Sequence, residues 1–236
     1  MNDVGEKVYN LMMRDYSKCQ WGDFYSKLPV ELFSRIRIIT SLNDRFFDDS
    51  FQGMPKDGYA AMSYRMLDHK NITSKFEIRI TSDDIRGFNK DKNLVISTAP
   101  PDELLDFELG ELEYQRVNFV DITSSSKTLF SEWPDIGVIN FSYPGTKVTR
   151  TTNYRTLACK KDGNDFVITE EPGQGVRAYP VRTKENLELA KKYISKLRKF
   201  NVIQAGRLGL FEYINMDVAI EKGLALANSV LKGEKL

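Results

Sequence analysis

Residues 138–154 read VINFSYPGTKVTRTTNY. Val138–Tyr143 and Lys147–Tyr154 are rich in β-branched and aromatic residues, which suit a pleated, half-buried surface. Between them, Pro144-Gly145 supplies a type II turn, because proline fixes φ at the first corner and glycine accepts the positive φ of the second. The pair therefore reads as an antiparallel hairpin. Working outward, Thr156–Lys160 and Phe166–Thr169 flank Lys161-Asp162-Gly163-Asn164-Asp165, a second turn. The stretch from Glu111 to Thr169 thus reads as an antiparallel set of strands. Upstream, Phe76, Ile78 and Ile80 alternate with charged residues, as in a half-buried strand. Leu94-Val95-Ile96 is a continuous apolar run, as in a fully buried one, and Pro100-Pro101 ends it.

Helical periodicity frames these strands. Asp3 is placed to accept from the free amides of a first turn, Glu6 follows like the second half of a capping box, and Val4, Val8, Leu11 and Met12 share one face. Pro29 opens a short helical stretch over Val30–Ile38, followed by the polar, aromatic loop LNDRFFDDSFQGMPKDG at 42–58, and Tyr59–Leu67 reads as a helix. Near the other end, Thr183 caps a helix with Leu187, Ala190, Ile194 and Leu197 as its apolar stripe, while Lys196, Arg198 and Lys199 suit the negative end of its dipole. Val202-Ile203 is a short strand, and Asn215 caps a last helix with Met216, Ile220, Leu224, Ala227 and Leu231 along one side. The fold class is mixed α+β: an N-terminal helical segment, a central antiparallel β-sheet and a C-terminal α/β remainder.

Composition narrows the function classes. With 236 residues, 41% hydrophobic and 28% charged, the chain has the make-up of an ordinary globular protein with a sizeable core. Lys+Arg 34 against Asp+Glu 33 leaves +1, so nucleic acid is not an implied partner, although a local Arg/Lys cluster can still hold a small diphosphate. Cys19 and Cys159 are far apart and form no disulfide framework, which points to a reducing cytoplasm. No apolar run approaches the roughly 20 residues of a membrane span, and the opening MNDVGEKVYN lacks the pattern of a signal peptide. His69 is the single histidine, which excludes a His-rich metal site; beside Asp68 and Lys70 it reads as a solvated helix end.

Gly173-Gln174-Gly175-Val176-Arg177-Ala178 matches G-x-G-x-x-A formally. A dinucleotide site needs a strand before the glycines and a helix opening at them, so that amides cradle a pyrophosphate. Pro172 precedes the match and Tyr179-Pro180 closes it, so it reads as a loop. No Walker loop, G-x-S-x-G elbow or C-x-x-C pair is present.

Tyr16-Ser17-Lys18-Cys19-Gln20-Trp21-Gly22, Leu28-Pro29 and Arg35 resemble the Y-T-x-K-Q-W-G…LP…R block of UDP-galactopyranose mutases. The resemblance runs on through Phe46-Phe47, Phe51-Gln52-Gly53-Met54-Pro55, Gly58-Tyr59, Leu112-Glu113-Tyr114, Val138-Ile139-Asn140-Phe141, Thr149-Arg150 and Tyr179-Pro180-Val181. It closes with Gly206-Arg207-Leu208-Gly209 and Tyr213-Ile214-Asn215-Met216-Asp217. No single landmark is specific; the ordered set is. It implies the conversion of UDP-galactopyranose to UDP-galactofuranose for cell-surface polysaccharide, with reduced FAD as cofactor. In the family the flavin N5 attacks the anomeric carbon and displaces UDP, and the sugar opens, recloses as the smaller ring and is recaptured by UDP. Such chemistry asks the protein for positioning and diphosphate charge stabilisation, with no catalytic side chain of its own.

By the same resemblance, Tyr16 stacks on uracil, and Ser17 and Trp21 line the nucleotide and sugar pocket. Arg35 is similar to a mobile-loop arginine that swings onto the diphosphate and Arg150 to a fixed one. Phe46 and Phe47 stand beside the substrate, Tyr179 and Tyr213 hydrogen-bond the phosphates, and Arg207, Asn215 and Met216 form the C-terminal flavin contact. The implied organisation is a helical segment with the substrate loop over 1–70, strands of an FAD-type domain over 71–104, the antiparallel sheet over 105–178, and helices and a strand completing the FAD-type domain over 179–236.

The chain departs from the family's pattern in lacking the N-terminal strand–G-x-G-x-x-G–helix, and in having Gln115 for an arginine, Asn215 for an aspartate and Arg182-Thr183 for Asn-Asp. Three readings stay open. The chain is one piece of a mutase completed by a separate chain with the FAD-binding fold; or it is a catalytically inactive UDP-sugar-binding or partner-binding module; or it is a gene fragment with an exposed strand edge at Leu94–Ser97. A homo-oligomer is compatible with each.

Overall fold

Apolar spacing and local caps give the chain its elements, and the computed structural model describes residues 5–29, 49–91, 93–124, 129–130, 134–143, 145–160 and 163–234. Helix α1 is α-helical over Glu6–Val8, π-helical over Tyr9–Asp15 and α-helical again over Tyr16–Trp21, with Gly22 (φ 52°) ending it. It is followed by a 3-10 stretch, Gly22–Lys27. Asp3, Val4 and the Val30–Ile38 helix lie outside the described residues, while Val8, Leu11 and Met12 are exposed instead of packed. Helix α2 (Gly58–Leu67) matches the expectation, and His69 follows it in an exposed turn whose Nδ1 accepts from the Asn71 amide.

Two expectations are corrected. Phe76–Ile80 forms no strand: Phe76, Ile78 and Ile80 are all exposed, and Glu77 sits at φ 58°. Alternation specifies which face a strand would bury, but a strand also requires a neighbour for its amides and carbonyls. Thr156–Lys160 is likewise no strand. Tyr154–Leu157 forms a short helix, α4, because the Asn153 side chain accepts from the Arg155 and Thr156 amides and starts a helical turn. One helix was missed from sequence, α3 (Ser82–Asp91). Its signal was legible: Thr81 Oγ1 accepts from the Asp84 amide and Asp84 Oδ2 accepts from the Thr81 amide (2.8 Å), a capping box.

The strands are β1 (Val95–Ser97), β2 (Tyr114–Asp121), β3 (Val138–Asn140), β4 (Arg150–Asn153), β5 (Val167–Pro172), β6 (Val176–Pro180) and β7 (Val202–Gln204). Five of them form a sheet in the order β3-β4-β5-β2-β6, and β3–β4, β4–β5 and β2–β5 are antiparallel as expected. β1 and β7 pair in parallel, Val95 opposite Val202. β1 is less covered than its apolar run suggests, with Leu94 39% and Ile96 49% exposed. Helix α5 (Lys184–Arg198) is capped by Thr183, whose Oγ1 accepts from the Asn186 amide at 3.2 Å. Helices α6 (Gly206–Gly209) and α7 (Met216–Leu231) complete the chain.

The chain divides into two compact units. Unit 1 comprises 1–25, 30–77 and 117–176; unit 2 comprises 26–29, 78–116 and 177–236. Unit 1 buries polar side chains on both faces of its sheet, Thr149, Thr151, Thr152, Asn153 and Thr169, with Thr151 and Thr169 hydroxyls 3.0 Å apart across β4 and β5. The match Gly173–Ala178 is the turn that leaves β5 and the start of β6, which lie on either side of β2 in the sheet, with Gly173 at φ 102° and Gly175 at φ 87°. A Cβ on Gly175 would lie 2.4 Å from the Val117 carbonyl oxygen, so the glycines serve the turn.

The apolar core of unit 2 gathers Ile85, Leu104, Leu105, Leu112, Tyr114, Ala190, Tyr193, Leu197, Val202 and Phe211. Tyr193 is fully buried at no polar cost, since its hydroxyl accepts from the Leu109 amide (2.8 Å) and donates to the Gly110 carbonyl (2.7 Å). Leu197 is 0% exposed and Leu231 84%. Leu197→Ala is expected to cost about 2–5 kcal/mol by cavity formation, and Leu231→Ala under about 0.5 kcal/mol; urea unfolding of the two variants checks the contrast.

Candidate functional site

In unit 1 the sheet register aligns three side chains in a row. Asn140 on β3 pairs with Arg150 on β4, and Arg150 with Glu170 on β5. Arg150 Nε donates to Asn140 Oδ1 at 3.2 Å, and its Nη1 lies 3.5 Å from Glu170 Oε1. Glu170 is buried, whereas the Arg150 side chain is 36% exposed, so the row fixes the root of the guanidinium and leaves its far side partly in solvent. Arg150 Nη2 donates to the Tyr16 hydroxyl at 3.4 Å. Tyr16 begins the last α-helical part of α1, and that helix is tied down one turn later: the Cys19 thiol donates to the Thr146 carbonyl at 3.4 Å, and burial pushes the thiol pKa up. Cys19 is thus a packed, protonated group with a structural role. Ser17 and Trp21, one turn apart, are 6% and 4% exposed. Gln20, one turn on from Tyr16, is also buried, and among the described residues its Nε2 has no hydrogen-bond partner. Burial and the Glu170 charge raise the Tyr154 pKa, with Arg150 opposing them.

Unit 2 carries a second cluster. The Arg207 guanidinium carbon on α6 lies 5.2 Å from the Tyr179 ring centre and 5.6 Å from that of Tyr213, and those rings are 5.5 Å apart. Arg207 Nε donates to the Ile214 carbonyl at 2.8 Å, which sets the plane of the guanidinium; among the described residues its Nη groups have no hydrogen-bond partner. The small helix that presents Arg207 needs Gly209, where a Cβ would stand 3.0 Å from the Ser97 carbonyl oxygen at the end of β1. Asn215 occupies the N-cap of α7 in extended conformation, its side chain making no capping bond to the α7 amides among the described residues, and Met216 is 60% exposed.

The sequence-derived residues therefore fall into separate places. Tyr16, Ser17, Trp21 and Arg150 belong to unit 1; Tyr179, Arg207, Tyr213, Asn215 and Met216 belong to unit 2. Arg35, Phe46 and Phe47 lie outside the described residues. Sequence reading missed Glu170, whose relation to Arg150 is a register fact across strands with no local signature. It also missed a buried ionic centre in unit 2. The Arg177 side chain, 6% exposed, donates through Nη1 to both Asp102 carboxylate oxygens at 2.9 Å and through Nη2 to Glu111 at 2.7 Å. Burial works against the Arg177 charge, yet Asp102, Glu111 and Glu103 together hold its pKa above the ordinary value. Among the described residues no group of acidic, histidine and cysteine side chains is arranged to hold a metal, and no helix is long and apolar enough to cross a membrane.

The comparisons with known proteins agree with one another. The family model described as UDP-galactopyranose mutase matches residues 11–213. A probable UDP-galactopyranose mutase of Klebsiella pneumoniae is 26% identical over 97% of this chain and 59% of its own length. A dTDP-fucopyranose mutase of Escherichia coli is 28% identical over 98% of this chain and 63% of its own length. The chain thus spans about three-fifths of these curated relatives. A solved structure of reduced UDP-galactopyranose mutase superposes with a TM-score of 0.66, covering 99% of this chain and 67% of that one at 15% identity, a likeness of fold.

Burial, and after it the Asp102 charge, pushes the Tyr114 phenol far above its usual pKa of 10.0. A folded pKa raised above the unfolded one means that its contribution is complete below pH 10 and is lost as pH rises past that value. Stability measured by denaturant at several pH values is expected to fall above pH 10, and less steeply in Tyr114→Phe.

Proposed function

The chain belongs to the UDP-galactopyranose mutase family, and from that premise we propose that it is the nucleotide-sugar-binding portion of a flavin-dependent pyranose/furanose mutase, completed by a polypeptide that carries the FAD-binding fold. The observation that carries this reading is the Asn140–Arg150–Glu170 row with Tyr16 against it. A guanidinium with its root fixed and its outer side partly open suits phosphate oxygens, and a tyrosine beside it suits the face of a pyrimidine. The Tyr179–Arg207–Tyr213 stack offers a second set of donors of the same kind. The relatives' names, one a UDP-sugar and one a dTDP-sugar, share a pyrimidine nucleoside diphosphate. We take a UDP-galactose-type nucleotide sugar as the ligand class, with Arg35, Phe46 and Phe47 contributing from the substrate loop.

The residues present fit one edge of a flavin only. Arg207, Asn215 and the opening amides of α7 would hold the ring edge, while no described strand–turn–helix offers amides to its pyrophosphate, since Gly173–Ala178 leads from one strand into another. Reduced FAD, when bound, would supply the nucleophile toward the anomeric carbon. The chain's own residues would bind the diphosphate, hold it as leaving group and keep it in place for recapture. Support for a completing polypeptide comes from what is uncovered. Met216, Ile220, Leu224 and Leu231 on α7 are 52–84% exposed, and a parallel pair such as β1–β7 is ordinarily covered on both faces.

Titration calorimetry with UDP and UDP-galactose tests the reading. Micromolar binding, about −8 kcal/mol, is expected, and Arg150→Ala should weaken it by roughly 10–100-fold, the equivalent of a charge-assisted bond. Absence of heat with the wild-type chain would remove the proposal. Binding that persists without mutase activity once an FAD-binding partner is co-expressed would instead identify a binding module.

A further inference from the structure

The buried ionic centre of unit 2 is connected to every member of the Tyr179–Arg207–Tyr213 stack. Arg177 and Tyr179 are two residues apart on β6 and so lie on the same face of the strand. The Arg177 guanidinium also stacks over the Tyr114 ring, 4.8 Å from its centre. The Tyr114 hydroxyl donates to the Leu208 carbonyl at 3.1 Å, next to Arg207. The Tyr114 ring meets Phe211 edge-on at 5.2 Å, two residues before Tyr213. Each stack residue is thus one or two residues from a contact made by Arg177 or by the ring it holds.

The centre itself is rigid. Asp102 is fully buried and satisfied on both oxygens, with the Leu112 amide adding a bond at 2.9 Å to those from Arg177. Phe107, at φ 58°, places its ring 5.5 Å from the guanidinium carbon. Replacing such a buried pair with uncharged groups is often neutral for stability, because desolvation offsets the attraction. What the centre does supply is a fixed direction, since Nη1 is held by both Asp102 oxygens, Nη2 by Glu111 and Nε lies 3.3 Å from Glu103, so the planar guanidinium can rotate little.

We infer that Arg177, clamped by Asp102, is a positioning residue that sets the geometry of the Tyr179–Arg207–Tyr213 stack and through it the affinity for the diphosphate of a nucleotide sugar. The last step rests on the reading under Proposed function; the first does not.

The test uses the full chain and the double variant Arg177→Met/Asp102→Asn, which removes both charges and leaves an amide oxygen to accept from Leu112. The 15N–1H resonance of Arg207 Nε–H, identified by its loss in Arg207→Lys, reports on the stack directly, because the guanidinium lies against both rings and Nε–H is bonded to the Ile214 carbonyl. The expected result is a melting temperature within a few degrees of wild type, unmoved core amides, a displaced Arg207 resonance and UDP affinity reduced about tenfold. Arg177→Lys, which keeps the charge without the fork, should displace the same resonance in the same direction. An Arg207 resonance that stays in place in both variants would overturn the inference. So would a double variant that no longer folds, since the pair would then be a stability element. A displaced resonance in a chain whose wild type shows no heat with UDP would uphold the positioning role and remove the nucleotide reading alone.

Discussion

A guanidinium taken out of water must be matched by carboxylates held where its fork can reach them, and unit 2 is arranged around one such match. Asp102, fully buried, accepts from Arg177 on both oxygens and from the Leu112 amide. That fixes the start of the Asp102–Leu112 segment against β6. Tyr114, which stacks on the same guanidinium, passes the constraint to α6 through Leu208 and to the core through Phe211. Apolar packing supplies the bulk of the driving force, and the hydrogen bonds of the ionic centre offset the cost of burying its charges.

Unit 1 uses the same chemical pair to a different end. Arg150 and Glu170 face each other because the antiparallel register puts them opposite, with Asn140 third in the row. There the carboxylate is buried and the guanidinium is partly exposed, the opposite of a closed centre, where both partners are enclosed. An arginine so held has lost much of its rotameric freedom before any ligand arrives, so less ordering entropy opposes binding. The Arg207 stack reaches a similar state by another route, through flanking rings and a carbonyl.

Two sets of uncovered apolar side chains lie in segments whose pattern is stronger than their packing. Phe76, Ile78 and Ile80 alternate as a strand does and, among the described residues, have no strand paired with them, and the α7 stripe repeats at helical spacing while remaining exposed. In a chain spanning about three-fifths of its curated relatives, such segments are where further polypeptide would be expected to pack.

Local chemistry was legible without coordinates. Thr183 and the stripe behind it gave α5, the apolar runs gave β1 and β7, and ordered landmarks such as Tyr16, Arg150 and Tyr179 gave the family. Thr156–Lys160 misled, because a capping asparagine at 153 outweighs strand propensity over so few residues. The sequence alone thus determined caps, turns, periodicity and kinship, all of which depend on neighbours a few residues away. Only the tertiary structure decided that Glu170 stands opposite Arg150 and that Arg177, inside what reads as a glycine loop, is the buried partner of Asp102. Those pairs join residues far apart in the chain, and whether two charges meet in a dry interior depends on strand register and packing, which no local pattern encodes.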